Sequence, residues 1–356
     1  MLFKLVTWVL LAILLAVAAK VLWFLDLNKR VYNHRPGKCQ LVEGPVNGAE
    51  DIEYLESEGL AFITSGIFYM APRPGVEGKI FLYDFNDPAT KYKATELKIK
   101  NKPAKFQAHG ITSWVENGKV FLYVVNHHQP EFTHSIEVFE FNKVDRSLTH
   151  LKTFKHENFI RDKFVFTNDG SAQTARMNLI EMLLGLKAGS IGYFDGQDVH
   201  WLLERDSSPN GLWVDLKKMV LFVASPNSEC VKVYNLAKDF KSISFISQID
   251  LLTSPDNLYM DKTGHLWTGA HPVMSKLSEL ESCNRKPRAG IERAPSQVLR
   301  IQFSADYKTA EVTEPYTDDG RQLCCSATAV HDGKGNLLIG SVAAELVHCE
   351  YTEHTI

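Results

Sequence analysis

The 356-residue sequence contains no Asn-X-Ser/Thr sequon, no CxxC pair and no Cys/His spacing suited to zinc. Without a sequon, N-glycosylation lends no support to a lumenal location, and the cysteine pattern argues against a zinc site. Charge of one sign is also missing, since 39 Lys and Arg stand against 42 Asp and Glu for a net charge of −3. Nothing in that balance suggests a nucleic-acid partner. Nor does any low-complexity tract suggest disorder. At 45% hydrophobic and 23% charged residues the composition is that of an ordinary globular chain. A closed β architecture of this length can form a single unit.

The N-terminus departs from this pattern. Leu5 to Ala19 is apolar apart from Thr7, and after Lys20 the run resumes from Val21 to Leu25. A helix of that length rises roughly 30 Å, enough to cross a bilayer, with Lys20 free to snorkel toward headgroups. The run is long for a cleaved signal peptide and its small-residue cleavage pattern is indistinct, so residues 1–30 read as an uncleaved signal-anchor. Lys29, Arg30, Arg35 and Lys38 follow the span, against Lys4 and the amino group before it. Taken alone, that asymmetry would keep the body in the cytosol.

From residue 31 to 356 the chain reads as short alternating strands between Gly, Asn, Asp and Pro. The clearest is Gln107 to His127, where Asn117-Gly118 separates two β-rich runs and marks a hairpin turn. His109 and His127 stand at the open ends of that hairpin, so the two imidazoles can meet. Related stretches begin near Glu50, Asn210, Asp256 and Ser326, and the spacing leaves room for another unit near Asn158. Six units of roughly 50 residues predict an all-β, six-bladed β-propeller. One segment, Ala172 to Leu186, is apolar around most of its circumference and predicts a helix over about 172–187, either packed over one end of the propeller or serving as a lid that walls an active site or touches membrane. Arg285, Lys286, Arg288 and Arg293 fall in a stretch that reads as a solvated basic loop.

In five units a polar residue stands just before the first strand: Glu50 with Asp51, His109, Asn158, Asn210, and Asp256 with Asn257. Equivalent positions of a propeller ring its central channel. Carboxylate and amide oxygens suit a hard cation, and Ca²⁺ takes 6–8 of them in flexible geometry. Cys39 and Cys349 bracket the body and can pair if the chain ends meet.

The chain resembles the paraoxonase/arylesterase family. The matching stretches include Asn47-Gly-Ala-Glu-Asp51, Gly59-Leu-Ala-Phe-Ile-Thr-Ser-Gly66, His109-Gly-Ile111, Leu122-Tyr-Val-Val-Asn-His127, Thr167-Asn-Asp169, Asn210-Gly211, Asp256-Asn257 and Leu266-Trp-Thr-Gly269. The resemblance implies a six-bladed propeller with a central calcium channel, a retained hydrophobic N-terminus, and a Cys39–Cys349 disulfide. Glu50, Asn210, Asp256 and Asn257 match ligands of the family's catalytic calcium. Asp51 and the Ile111 carbonyl match its structural calcium. His109 and His127 match the histidine dyad, and Asp169 a functional aspartate. The implied activity is calcium-dependent hydrolysis of lactones and aryl esters. Ca²⁺ would polarise the carbonyl, with His109 as general base and His127 orienting it.

Two departures from the family pattern stand out. The chain is shorter between His156 and Thr167, where the family carries an Asn-Asp pair with one ligand to each calcium. Asn158 can replace the asparagine, but Phe159 then takes the aspartate position, which leaves the structural calcium short of a ligand. Ala270 replaces a free cysteine beside His271. Three readings follow: a membrane-anchored hydrolase, a plain structural propeller, or a non-catalytic accessory protein. The last has precedent in paraoxonase-like membrane proteins that assist assembly of degenerin-type sodium channels, which would bring a membrane-protein partner. A calcium site with few carboxylates and a terminal disulfide both fit the ER lumen or cell exterior, against the charge asymmetry.

Overall fold

The structure, a computed structural model, describes residues 2–66, 75–128, 133–155, 163–172, 174–283, 292–343 and 346–352. Period-two patterning builds the body. In the strand Lys119–His128, Val120, Leu122 and Val124 are fully buried while Phe121 and Tyr123 are only partly covered. Six sheets result among the described residues, and their first strands are Ile52–Leu55, Ala108–Glu116, Phe164–Asn168, Leu212–Asp215, Ser254–Met260 and Ser326–His331. The fold is a six-bladed β-propeller.

The ring is closed by both ends of the chain. Cys39–Leu41 pairs with Val347–Glu350 as the outer strand of the sixth blade, and Cys39 stands opposite Cys349 and is disulfide-bonded to it. A second bridge joins Cys283 to Cys324. The second blade gains a fifth strand, Lys98–Lys100, lying parallel to Ser147–Phe154.

The third blade falls in the stretch expected for it. Its first strand begins at Phe164, and Asn158 lies outside the described residues. Helix α2 (Ala175–Leu184) interrupts this blade between its first strand and Gly189–Phe194. Thr174 caps the helix by accepting from the Met177 N–H at 3.3 Å, and Gly185 ends it at a φ of 55°. Met177, Leu179 and Ile180 remain exposed on it.

Helix α1 (Leu2–Phe24) is long and apolar enough to cross a membrane, and its apolar side chains are exposed. Its end is anchored on the propeller. Phe24 and Asp26 are buried, and Lys29 Nζ reaches Asp26 Oδ1 (2.7 Å), Glu229 Oε1 (2.8 Å) and the Leu252 carbonyl (2.6 Å). Lys20 donates to the Leu184 carbonyl at 2.7 Å, tying α1 to the C-terminus of α2. Within the stretch expected to be a solvated basic loop, Arg293 is instead buried. Its guanidinium donates to the carbonyls of Gly320 (2.5 Å) and Cys283 (2.7 Å), satisfying backbone acceptors that sequence patterning does not reveal.

Candidate functional site

The hairpin turn forms as its residues require: Asn117 and Gly118 have φ of 50° and 77°, and the strands pair from Glu116↔Lys119 back to Ala108↔Asn126. The register breaks between Ala108 and Ile111, a bulge containing His109 and Gly110. A second break, between Pro255 and Leu258, contains Asp256 and Asn257. Bulges re-aim side chains, and here they release the channel-facing residues from regular alternation.

Released in this way, His109 sits between a carboxylate and a second histidine. Its Nε2 is 3.1 Å from Glu50 Oε1, and its Nδ1 is 2.6 Å from His127 Nε2. The chain continues, since His127 Nδ1 lies 2.6 Å from His134 Nδ1, across the strand register that pairs the two residues. Burial pushes the His109 pKa down, but the Glu50 charge and hydrogen bond outweigh it and raise the value to about 9. That pull lasts only while no cation neutralises Glu50. Burial, with the neighbouring charges of His109 and His134, holds His127 well below the usual histidine range. The line therefore runs from a buried carboxylate to His134, which is exposed. Asp169 follows the strand Phe164–Asn168 and acts on His134 and His109 through its charge.

Glu50 is also held from the fifth blade, where Asn257 Nδ2 donates to its carbonyl (3.1 Å) and to Oε1 (2.9 Å). Its other oxygen, Oε2, is buried with no hydrogen-bond partner, a costly arrangement for an isolated carboxylate. Asp51 lies beside it, its Oδ1 accepting from the Ile52 N–H (2.8 Å) and its Oδ2 from the Ile111 N–H (2.9 Å). Burial and then the Glu50 charge raise the Asp51 pKa to about 8. Burial likewise raises that of Asp256, which His271 partly counters through a 3.1 Å contact to Oδ2. Gly211, next to Asn210, lies against the Asp256 backbone: a Cβ there would come within 2.5 Å of the Asp256 carbonyl.

Crowded carboxylates, one orphaned oxygen and flanking amides form a donor set that fits a hard divalent cation. Among the described residues, no three His, Cys, Asp or Glu side chains are grouped to hold a metal by themselves. A cation here would therefore draw on the asparagine oxygens as well.

The family model named Arylesterase matches residues 31–351. The chain belongs to the arylesterase family. It is 36% identical to serum paraoxonase/lactonase 3 of Oryctolagus cuniculus, over 88% of this chain and 89% of that protein. It is 28% identical to Mechanosensory abnormality protein 6 of Caenorhabditis elegans, over 99% of this chain and 97% of the other. Among solved structures, a gluconolactonase from Xanthomonas campestris is similar at a TM-score of 0.50 and 12% identity, covering 91% of this chain and 99% of that one. That likeness is one of fold.

Relative to the arylesterase-family expectations, the structure brings Glu50, His109, His127 and Asn257 into one contact network, with Asp51, Asp169 and Asp256 in charge range. Ile111 meets Asp51 through its N–H. Sequence reading missed three features. His134 was not singled out, although its place opposite His127 follows from the strand register. Glu53, raised to about 7 by burial and bonded to Ser113 Oγ at 2.5 Å, carries no sequence signal. The Cys283–Cys324 bridge was also missed, because pairing among six cysteines is not deducible from sequence.

Proposed function

We propose that this arylesterase-family chain is a membrane-anchored, calcium-dependent hydrolase of small lactones or aryl esters. The observation that carries this reading is the unbroken line Glu50–His109–His127–His134, which offers a proton route from the channel to the surface. The likeness to proteins named paraoxonase/lactonase supports the substrate class. Calcium, held by Glu50, Asn210, Asp256 and Asn257, would supply polarisation of the ester carbonyl and stabilisation of the oxyanion. While Glu50 accepts from His109 Nε2, that nitrogen has no lone pair for water. With Glu50 drawn to calcium instead, His109 would take a proton from water at Nε2 and pass one from Nδ1 to His127 Nε2. His127 in turn hands its Nδ1 proton to His134, where Asp169 offsets the charge. A second ion is supported only through Asp51 and Ile111, and Asn158 stays a candidate ligand on sequence grounds alone.

α1 anchors the body, and two disulfides favour an oxidising compartment, the ER lumen or the cell exterior. The exposed apolar residues of α2, tied to α1 by Lys20, suit a lid lying at the membrane surface.

A second reading has its own support. The likeness to Mechanosensory abnormality protein 6 runs over 99% of this chain. It is compatible with a non-catalytic accessory role with a membrane-protein partner such as a degenerin-type sodium channel. Turnover of phenyl acetate and a lactone panel by wild type and His109→Gln separates the two. The hydrolase reading expects turnover lost in the variant, whereas the accessory reading expects none in either.

A further inference from the structure

A second line of polar contacts leaves Asp256 in the opposite direction, into the wall between the fifth and sixth blades. His271, the last residue of the strand His265–His271, is buried with Nε2 3.1 Å from Asp256 Oδ2. Its Nδ1 lies 3.3 Å from Cys325 Sγ. Cys325 is fully buried, is not in a disulfide, and has a φ of 58°, uncommon for a residue with a side chain. Its backbone is pinned from three sides. The N–H donates to the Ala294 carbonyl (3.1 Å), the carbonyl accepts from Val342 (3.0 Å), and the preceding residue is bridged to Cys283.

A carboxylate can only accept, so His271 Nε2 carries the hydrogen that faces Asp256. The proton at the other end is shared between Sγ and Nδ1. This pairing fixes the imidazole plane and commits one oxygen of Asp256 to the blade wall. Groups that orient a metal's ligands in this way tune its affinity.

We propose that Cys325, acting through His271, is a positioning residue for the Asp256 carboxylate and so sets the channel's affinity for a divalent cation. The inference rests on the calcium reading above. It explains why a thiol is held in a strained backbone position at the start of the sixth blade, away from any disulfide.

The test is calcium titration calorimetry on the full-length chain in detergent, comparing wild type, Cys325→Ala and Cys325→Ser. Cys325→Ala is expected to bind calcium about 10- to 100-fold more weakly. Cys325→Ser, whose hydroxyl still donates to Nδ1, is expected to recover most of that loss. A merely structural thiol would shift the calcium-free thermal midpoint without this Ala–Ser split. A companion measurement needs no variant. Calcium should slow maleimide labelling of Cys325, read by peptide mass spectrometry against Cys230, the other buried free cysteine. Wild-type calcium affinity in Cys325→Ala, equal losses in both variants, or Cys325 labelling indifferent to bound calcium would each overturn the proposal alone. Absence of calcium binding by the wild type would overturn the calcium reading with it.

Discussion

At the scale of single residues, the account assigns unlike tasks to chemically identical groups. His109 faces Glu50, His127 is enclosed between two other imidazoles, and His134 meets solvent. Removing the first should cost more than removing the last. His109→Gln is expected to lower kcat by roughly 10²–10⁴-fold, the range of a general base, and His134→Gln by less, both read in steady-state ester hydrolysis. A histidine outside this line should contribute to stability against acid. His348 is buried, bonded to Tyr83 Oη at 2.6 Å, and its pKa is lowered from 6.5 to about 4 by burial and the Lys91 charge. Between those two pH values the unfolded chain holds a proton that the folded one does not. The contribution of this group is therefore full above about pH 6.5 and falls as the pH drops toward 4, by roughly 3 kcal/mol. Because the raised Asp51, Glu53 and His109 act in the opposite sense over this range, the loss is read as the difference between wild type and His348→Gln in thermal unfolding from pH 7 to 4.

At the scale of elements, legibility followed locality. The hairpin turn was readable because Asn117-Gly118 states its own backbone requirement, and the observed φ values meet it. Nothing lies within 4 Å of a Cβ built on Gly118, so a side chain there would suffer only the backbone penalty. Gly118→Val should destabilise by about 1–2 kcal/mol in denaturant unfolding, with the midpoint moved and the slope unchanged. The dyad was readable because it sits at the ends of that hairpin. His134 was not, since its pairing with His127 follows only from the observed strand register. Arg293 illustrates the same limit. Its sequence neighbourhood is basic and polar, while its acceptors, Gly320 and Cys283, are brought by other parts of the fold. Bulges at His109–Gly110 and Asp256–Asn257 were visible only as polar residues in a shared phase.

At the scale of the whole molecule, the repeat count sufficed for six blades, and closure followed from the meeting of the chain ends. Cys39 and Cys349 are separated by 310 residues in sequence and paired in register. Closing so long a loop restricts the unfolded chain strongly, so Cys39→Ser with Cys349→Ser should cost about 2–5 kcal/mol of stability, measured by thermal unfolding with and without reductant. The central claim is that the channel built from six strand starts is catalytic. It is tested most directly by hydrolysis of phenyl acetate and a lactone panel by the full-length protein, before and after chelation and again on restoring calcium. The account predicts turnover that chelator abolishes, calcium restores and His109→Gln lacks. A folded, calcium-binding protein with no turnover on any of these esters would contradict it.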